Sequence, residues 1–374
     1  MEINKRIRFL HIVKDDKFLA STLLNFERQD LIDSTYVYFR KTGRKLHYIK
    51  PEDNIEIYES AGDFRNRLAS GDYDVVYLHS LQFSFLRFLR CIPRNKILIW
   101  WAWGYDIYGQ QVLGMKSFIN IEVFKPETNR LWHHFDLKRL SARLWMEPLF
   151  AMHKREVLSR VDYFQPVCDV DYDLMKEQTG FRAKKIYLVG PYIESQVHNV
   201  APDGCVLIGN AAAPMENHLD VWMSVKGFIP QQRKVIVPLS YGDADYANRV
   251  KKRMLQTDHN FCFLDSFLPK EEYFALFDSC SYAVYGTLRQ HAMGNIYRAL
   301  RKGIKVFLYK DSVLYRHFIK HGYIVFPIEE MDSTSFSEPL SLADRQRNLE
   351  AIKAERLSYR EIGREALLEI QHQL

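Results

Sequence analysis

The hydrophobic pattern alternates between two kinds of run. Short, nearly continuous apolar stretches, "IRFLHIV", "DVVYLHS", "KILIWWAW" and "VDYFQPV", read as buried strands. Between them lie stretches with helical spacing of apolar residues, "KFLASTLLNFERQ", "FSFLRFLRCI" and "DYDLMKEQTG", the last with an acidic start and a glycine stop. The alternation then restarts. "CVLIGN" leads to "ENHLDVWMSVKGF", "KVIVPLSYG" to "DADYANRVKKRMLQ", and "NFCFLD" to "PKEEYFALFDSC". "SYAVYG" leads to "NIYRALRKG", and "KVFLYK" to "SVLYRHFIKHG". Apolar strands alternating with amphipathic helices predict parallel sheets covered on both faces.

Two such series predict an α/β protein with two Rossmann-like domains. The join is expected near "LVGPYIESQVHNVAPDG", which has two prolines and few helix signals. The expected division is residues 1–195, residues 196–340, and a tail 341–374 forming one or two long helices packed on the domains. A length of 374 residues with 47% hydrophobic and 14% aromatic content supports two cores and excludes global disorder. The net charge of +6 is too mild for a nucleic-acid partner and suits an anionic small molecule or an anionic membrane surface. Five cysteines without zinc spacing read as reduced thiols of a cytosolic protein. The start "MEINKRIRFLHIVKDDKF" does not read as a signal peptide, and no window approaches the roughly 18 apolar residues of a spanning helix. Any membrane contact is therefore expected to be peripheral. "FSFLRFLRCIPRNK" and "LKRLSARLWMEPLFAMHKR" interleave apolar and basic residues; each fits a helix on an anionic bilayer or an ordinary core-facing helix.

In open parallel sheets, ligands bind beyond the carboxyl ends of the strands. The residues there are His11, His79 and the turn "WWAWGYD" with Asp106, then Gly209 and Asn210, Ser240 to Gly242, and Gly286 to Asn295. "GTLRQHAMGN" joins a strand to a helix starting near Asn295, where N–H groups and the helix dipole favour a phosphate; Arg289 is a candidate contact, with a surface arginine and a plain cap as the alternative. "VLIGNAAAPMENH" offers small residues with Asn217 and His218, or a tight turn and a capped helix. The acid pairs in "DVDYD" and at Asp243 and Asp245 imitate a metal motif, but each stands where a helix begins and is read as capping. No metal site and no cofactor is expected.

"ILIWWAWGYDIYG", "VLIGNAAAPMENH", "VIVPLSYGD" and "LPKEEYFALFDSCSYAVYGTLRQHAMGN" resemble, in content and order, the TDP-N-acetylfucosamine:lipid II N-acetylfucosaminyltransferase family. The resemblance implies a GT-B glycosyltransferase, two Rossmann-like domains facing each other across a cleft, acting without a metal. It implies a nucleotide-sugar donor, a TDP-sugar, and an undecaprenyl-diphosphate-linked saccharide acceptor at the inner face of the cytoplasmic membrane. The family's donor-site residues fall on Gly209, Asn210, Asn217, His218, Pro238, Tyr241, Gly242, Arg289, Gln290 and Gly294, with Asn295 beside them. On the acceptor side Trp103 and Tyr105 offer aromatic faces, and Asp106 is the expected general base or acceptor-orienting carboxylate, with His11 and His79 as alternatives. "HAM" and "AAAP" depart from the family pattern and leave the sugar and base open. A sugar-nucleotide epimerase, a UDP- or GDP-sugar transferase and a non-catalytic carbohydrate-binding scaffold are the competing readings.

Overall fold

The computed structural model describes residues 6–13, 26, 30–40, 55–81, 83–109, 117–132, 137–190 and 200–374. Of the helix expected over 17–29 only Phe26, in helical conformation, is among them, and the domain boundary at 195/196 lies outside them. Among the described residues two parallel sheets form. The first contains β1 (Ile7–Val13), β2 (Ile32–Phe39), β3 (Ile55–Tyr58), β4 (Val75–His79), β5 (Ile97–Trp101), β6 (Tyr163–Gln165) and β7 (Lys184–Lys185). The second contains β8 (Cys205–Ile208), β9 (Val235–Pro238), β10 (Phe261–Leu264), β11 (Cys280–Tyr285), β12 (Lys305–Leu308) and β13 (Phe326–Pro327).

Their orders are β3-β2-β1-β4-β5-β6-β7 and β10-β9-β8-β11-β12-β13. Both are doubly wound, and each reverses direction once, between β1 and β4 and between β8 and β11. At such a reversal the following connections diverge to opposite faces and open a crevice. β4 and β11 are buried at every position, the pattern of strands covered on both faces.

Two elements tie the halves together. The helix Pro126–Trp132 lies in sequence between β5 and β6 of the first sheet yet docks on the second half. Val123, Phe124 and Trp132 join a core with Val206, Val221, Trp222 and Tyr246. Asp220 holds this helix's first turn through Glu127 N (2.7 Å), Thr128 N (2.8 Å) and Thr128 Oγ1 (2.6 Å). Asn217 accepts from Lys125 N and donates to the carbonyls of Val123 and Gly286. The tail is one helix, Leu342–Gln373, capped by Ser341. Its early residues Leu349 and Ile352 pack with Ile296 and Leu300, and its late residues Ala366, Leu367 and Ile370 pack with Ile7, Val75 and Ile99. Gly363 lets the helix cross the first sheet's last connection, because a Cβ there would stand 2.1 Å from the Tyr187 carbonyl oxygen.

A buried polar knot sits where this helix meets both halves. Glu355 accepts from Tyr297 (2.8 Å), Tyr323 (2.6 Å) and Tyr359 (2.7 Å) and contacts His317 Nε2 at 3.2 Å. Asp169 on the first half binds His321 (2.8 Å) and Lys185 (2.8 Å). His317, His321 and Glu355 have the proximity of a metal site. However, His317 Nδ1 accepts the Asp169 N–H, so its Nε2 carries the proton and faces Glu355 as a donor. The cluster is satisfied as a hydrogen-bonded network.

Burial pushes the Glu355 carboxyl up, but the bonds from His317 and the tyrosines outweigh it and bring it down to about 2. A depressed carboxyl stabilises the fold above its unfolded value near 4.5, and that contribution is lost as pH falls toward 2. Glu355→Gln is expected to cost about 3 kcal/mol at pH 7 and clearly less near pH 3; urea titrations at the two pH values check this, and an equal loss at both would refute it.

Candidate active site

The tryptophan-rich turn is built around one carboxylate. β5 ends in Trp100 and Trp101, and a short helix, Tyr105–Tyr108, follows at once. Asp106 lies in its first turn, buried. Its Oδ2 accepts from Leu81 N (2.9 Å) and Trp100 Nε1 (2.8 Å), and its Oδ1 from Trp103 N (2.9 Å). Burial raises its pKa, and these N–H bonds oppose the rise. One acid thus pins the end of β4, the end of β5 and the turn itself. Trp100 is wholly buried against Phe118 and Phe164, whereas the Trp103 ring lies 5.1 Å from Trp101 at the surface of the turn. Tyr105 is 44% exposed and its hydroxyl bonds Ser80, a non-glycine residue at φ 78°.

His11 and His79 come together at the first sheet's reversal. His11 Nδ1 and His79 Nε2 are 3.0 Å apart, and His11 Nε2 meets Ser34 Oγ at 3.1 Å. Tyr36, Phe26, Tyr77 and Trp101 wall the pair. Burial, and for His11 the neighbouring ring too, hold both well below the usual histidine range, His79 near 3. Both rings are therefore neutral at pH 7. His79 is the more exposed of the two.

On the second half, Gly209 follows β8 at φ 74°, and a Cβ there would be 2.4 Å from His218 Nε2. His218 Nδ1 contacts Tyr246 OH at 3.1 Å, while its buried Nε2 has no hydrogen-bond partner among the described residues; burial lowers its pKa to about 4. Asn210 Oδ1 accepts from Asn295 Nδ2, which also bonds Tyr273. Pro238 ends β9, and beyond it Tyr241 is 75% exposed while Gly242 (φ 125°) lies against Ala212. The helix after β11 spans Met293–Arg301, so Asn295 sits within its first turn, and the N-cap is Ala292 in the left-handed region at φ 60°. Nothing crowds Gly294.

Arg289 and Gln290 meet the first half. A Cβ on Gly104 would stand 2.1 Å from Gln290 Oε1 and 3.2 Å from Arg289 Nη1. Gly104 also has φ 89°. Arg289 is buried, donating to Gln290 O (3.0 Å) and the Met215 sulfur (2.6 Å), with its guanidinium 5.8 Å from the Tyr108 ring centre. Burial lowers its pKa, opposed by Tyr108, Asp171 and Glu216. Asn217 does not join this group, since its amide is occupied by the Lys125, Val123 and Gly286 backbone.

Two acids here have partners that the sequence reading did not supply. Glu216 is fully buried, with Oε1 2.5 Å from His291 Nδ1 and Oε2 unpartnered among the described residues. Asp171 receives the Tyr108 hydroxyl at 2.5 Å, and burial raises it to about 7. Neither Asp169 nor Asp171 caps its helix, whose N-cap is Cys168, whereas Asp243 does cap by accepting from Tyr246 N.

Two doubly wound sheets joined at a seam between the turn after β5 and the loop after β11 define a GT-B fold. Solved structures agree over nearly the whole chain. Sucrose-phosphate synthase from Thermosynechococcus elongatus superposes with a TM-score of 0.58 at 11% identity, covering 98% of each chain. HepE from Anabaena, solved in complex with UDP-glucose, gives 0.56 at 13% identity and 98% of each chain. WaaG, a glycosyltransferase involved in lipopolysaccharide biosynthesis, gives 0.54 at 11% identity, with 97% of this chain and 99% of that one covered. No curated protein matches the sequence. The family model of 4-alpha-L-fucosyltransferase, glycosyl transferase group 56, matches residues 69–361, and the chain belongs to that family. It is a glycosyltransferase.

The raised Asp171 carboxyl makes the folded state bind more protons than the unfolded one between about pH 4 and 7, so stability falls as pH rises through that window. Chemical denaturation of the wild type is expected to lose about 2 kcal/mol from pH 5 to pH 8, and Asp171→Asn to lose much less. Matching slopes would refute the assignment. Gly104→Ala adds a strained φ and a clash at the seam; it is expected to lower catalytic efficiency at least tenfold, by roughly the 1.4 kcal/mol of such a factor, as measured by initial rates.

Proposed function

We propose that this glycosyltransferase moves a sugar, an N-acetylated amino-deoxy hexose, from TDP to a polyprenyl-diphosphate-linked saccharide at the inner face of a bacterial cytoplasmic membrane. The observation that carries the reading is the contact of Gly104 with Arg289 and Gln290, which joins the aromatic turn of one half to the helix-start loop of the other. A donor diphosphate on that loop would face an acceptor sugar on the turn.

When the anomeric carbon–oxygen bond breaks, negative charge grows on the leaving diphosphate. The free N–H groups of the helix Met293–Arg301 and the Arg289 guanidinium are suited to it without a metal. His291, held by Glu216 through Nδ1, stands in the same loop. Gly209, Asn210 and Asn295 line the same strand ends and serve the sugar and ribose, while exposed Tyr241 serves the base. Trp103 and Tyr105 give the acceptor ring a flat surface. The neutral His79, oriented by His11, accepts a hydrogen bond from the acceptor hydroxyl. Asp106 acts through the turn it holds, as a positioning residue.

In thermal-shift titrations TDP is expected to raise the melting temperature more than UDP or GDP, and no shift with any of them would overturn the reading. With TDP-sugar and lipid-linked acceptor, Arg289→Ala is expected to lower kcat roughly a hundredfold with the fold intact. Wild-type kinetics in that variant would remove Arg289 from the site. Mass detection of a glycosylated polyprenyl diphosphate tests the transfer itself.

A further inference from the structure

A second basic site stands at the opposite ends of the first sheet's strands from the seam. A cavity of about 800 Å3 is lined by Arg94, Lys96, Arg155, Arg182 and Lys184, with Asp162 as its one acid. These residues come from three places: the approach to β5, the last turns of the helix Leu137–Arg160, and the approach to β7. The acid does not neutralise the cavity, because Asp162 already accepts from Leu98 N (2.8 Å) and Arg160 Nη1 (3.1 Å). Lys184 is paired with Glu369, and Lys96 lies over the Tyr73 ring. Arg94, Arg155 and Arg182 are exposed and have no hydrogen-bond or ion-pair partner among the described residues. Three unpaired guanidiniums around one hollow form a receptor for a phosphate-bearing anion. β5 separates it from the seam by its own length, roughly 15 Å, so it is not part of the donor site.

The helix that supplies Arg155 carries a second feature. Leu144 is 66% exposed and Met152 59% exposed. With exposed Pro148 and Arg155 they recur at helical spacing and lie along one face that runs into the cavity. An apolar ridge ending in a cluster of arginines is complementary to a bilayer surface, with apolar side chains entering the interface and guanidiniums on headgroup phosphates. A soluble phosphate would have no use for the ridge.

We propose that the Arg94–Arg155–Arg182 cavity binds the phosphate of an anionic lipid headgroup and, with Leu144 and Met152, docks the protein on the bilayer. The assignment rests on the reading of a membrane-borne acceptor and identifies the surface that meets the membrane. Flotation with phosphatidylcholine vesicles, with and without about a third of phosphatidylglycerol, tests it. The wild type is expected to bind only the phosphatidylglycerol vesicles, and the triple variant R94A/R155A/R182A to bind them roughly a hundredfold more weakly. Met152→Glu weakens binding by a route independent of the arginines. An unchanged melting temperature and nucleotide shift confirm that the variants are folded. Equal binding to both vesicle types, or retention in the triple variant, overturns the proposal. Binding of inorganic phosphate without vesicle binding also overturns it, in favour of a soluble anion. Sugar transfer to a detergent-solubilised acceptor without vesicle binding overturns the docking surface and leaves the transferase reading standing; vesicle binding without transfer does the reverse.

Discussion

The seam depends on the buried carboxylate of Asp106. Its three N–H partners belong to the ends of two neighbouring strands and to the turn between them and the next helix. A neutral amide in its place accepts through one atom only, so at least one of those N–H groups would lose its partner in a dry site. With the turn fixed, Gly104 presents bare backbone to Gln290 and Arg289, Tyr105 reaches Ser80, and Tyr108 stands between Asp171 and Arg289. Each of these contacts follows from where the turn is held.

The electrostatics of the seam share a logic. Its charged groups are enclosed, and each is opposed by a neighbour of opposite sign or by a donor that satisfies one atom and leaves another open. Glu216 has one oxygen on His291 and one unpartnered among the described residues, and Asp171 has one oxygen on Tyr108. Half-satisfied buried groups are costly in isolation. They are found beyond the carboxyl ends of the strands, the side on which doubly wound sheets receive ligands.

Much of the strand framework was legible because the buried strands are nearly uninterrupted apolar runs. β2 and β3 were not, since "IDSTYVYF" mixes acid, hydroxyl and aromatic residues and "IEIY" is only partly buried. The helix Pro126–Trp132 was missed too: nothing local says that it leaves its own half to dock on the other. At the site, the residue types were readable and their duties were not. Asp106 read as an acid aimed into a cleft, whereas its oxygens accept from two backbone N–H groups and the Trp100 indole. Asn295 read as a cap, but its helix begins two residues earlier and its amide bridges to Asn210. Asp171 read as a capping acid and Glu216 drew no reading, because sequence spacing cannot reveal burial against a partner 63 or 75 positions away.

The final helix makes one more demand on the molecule. Ala366, Leu367 and Ile370 complete the apolar layer beneath β1, β4 and β5, all of which are synthesised before them. During synthesis that layer stays open until the helix Leu342–Gln373 has been made. A chain whose helix Leu342–Gln373 is not yet in place exposes a sheet face that a chaperone or another chain is free to occupy.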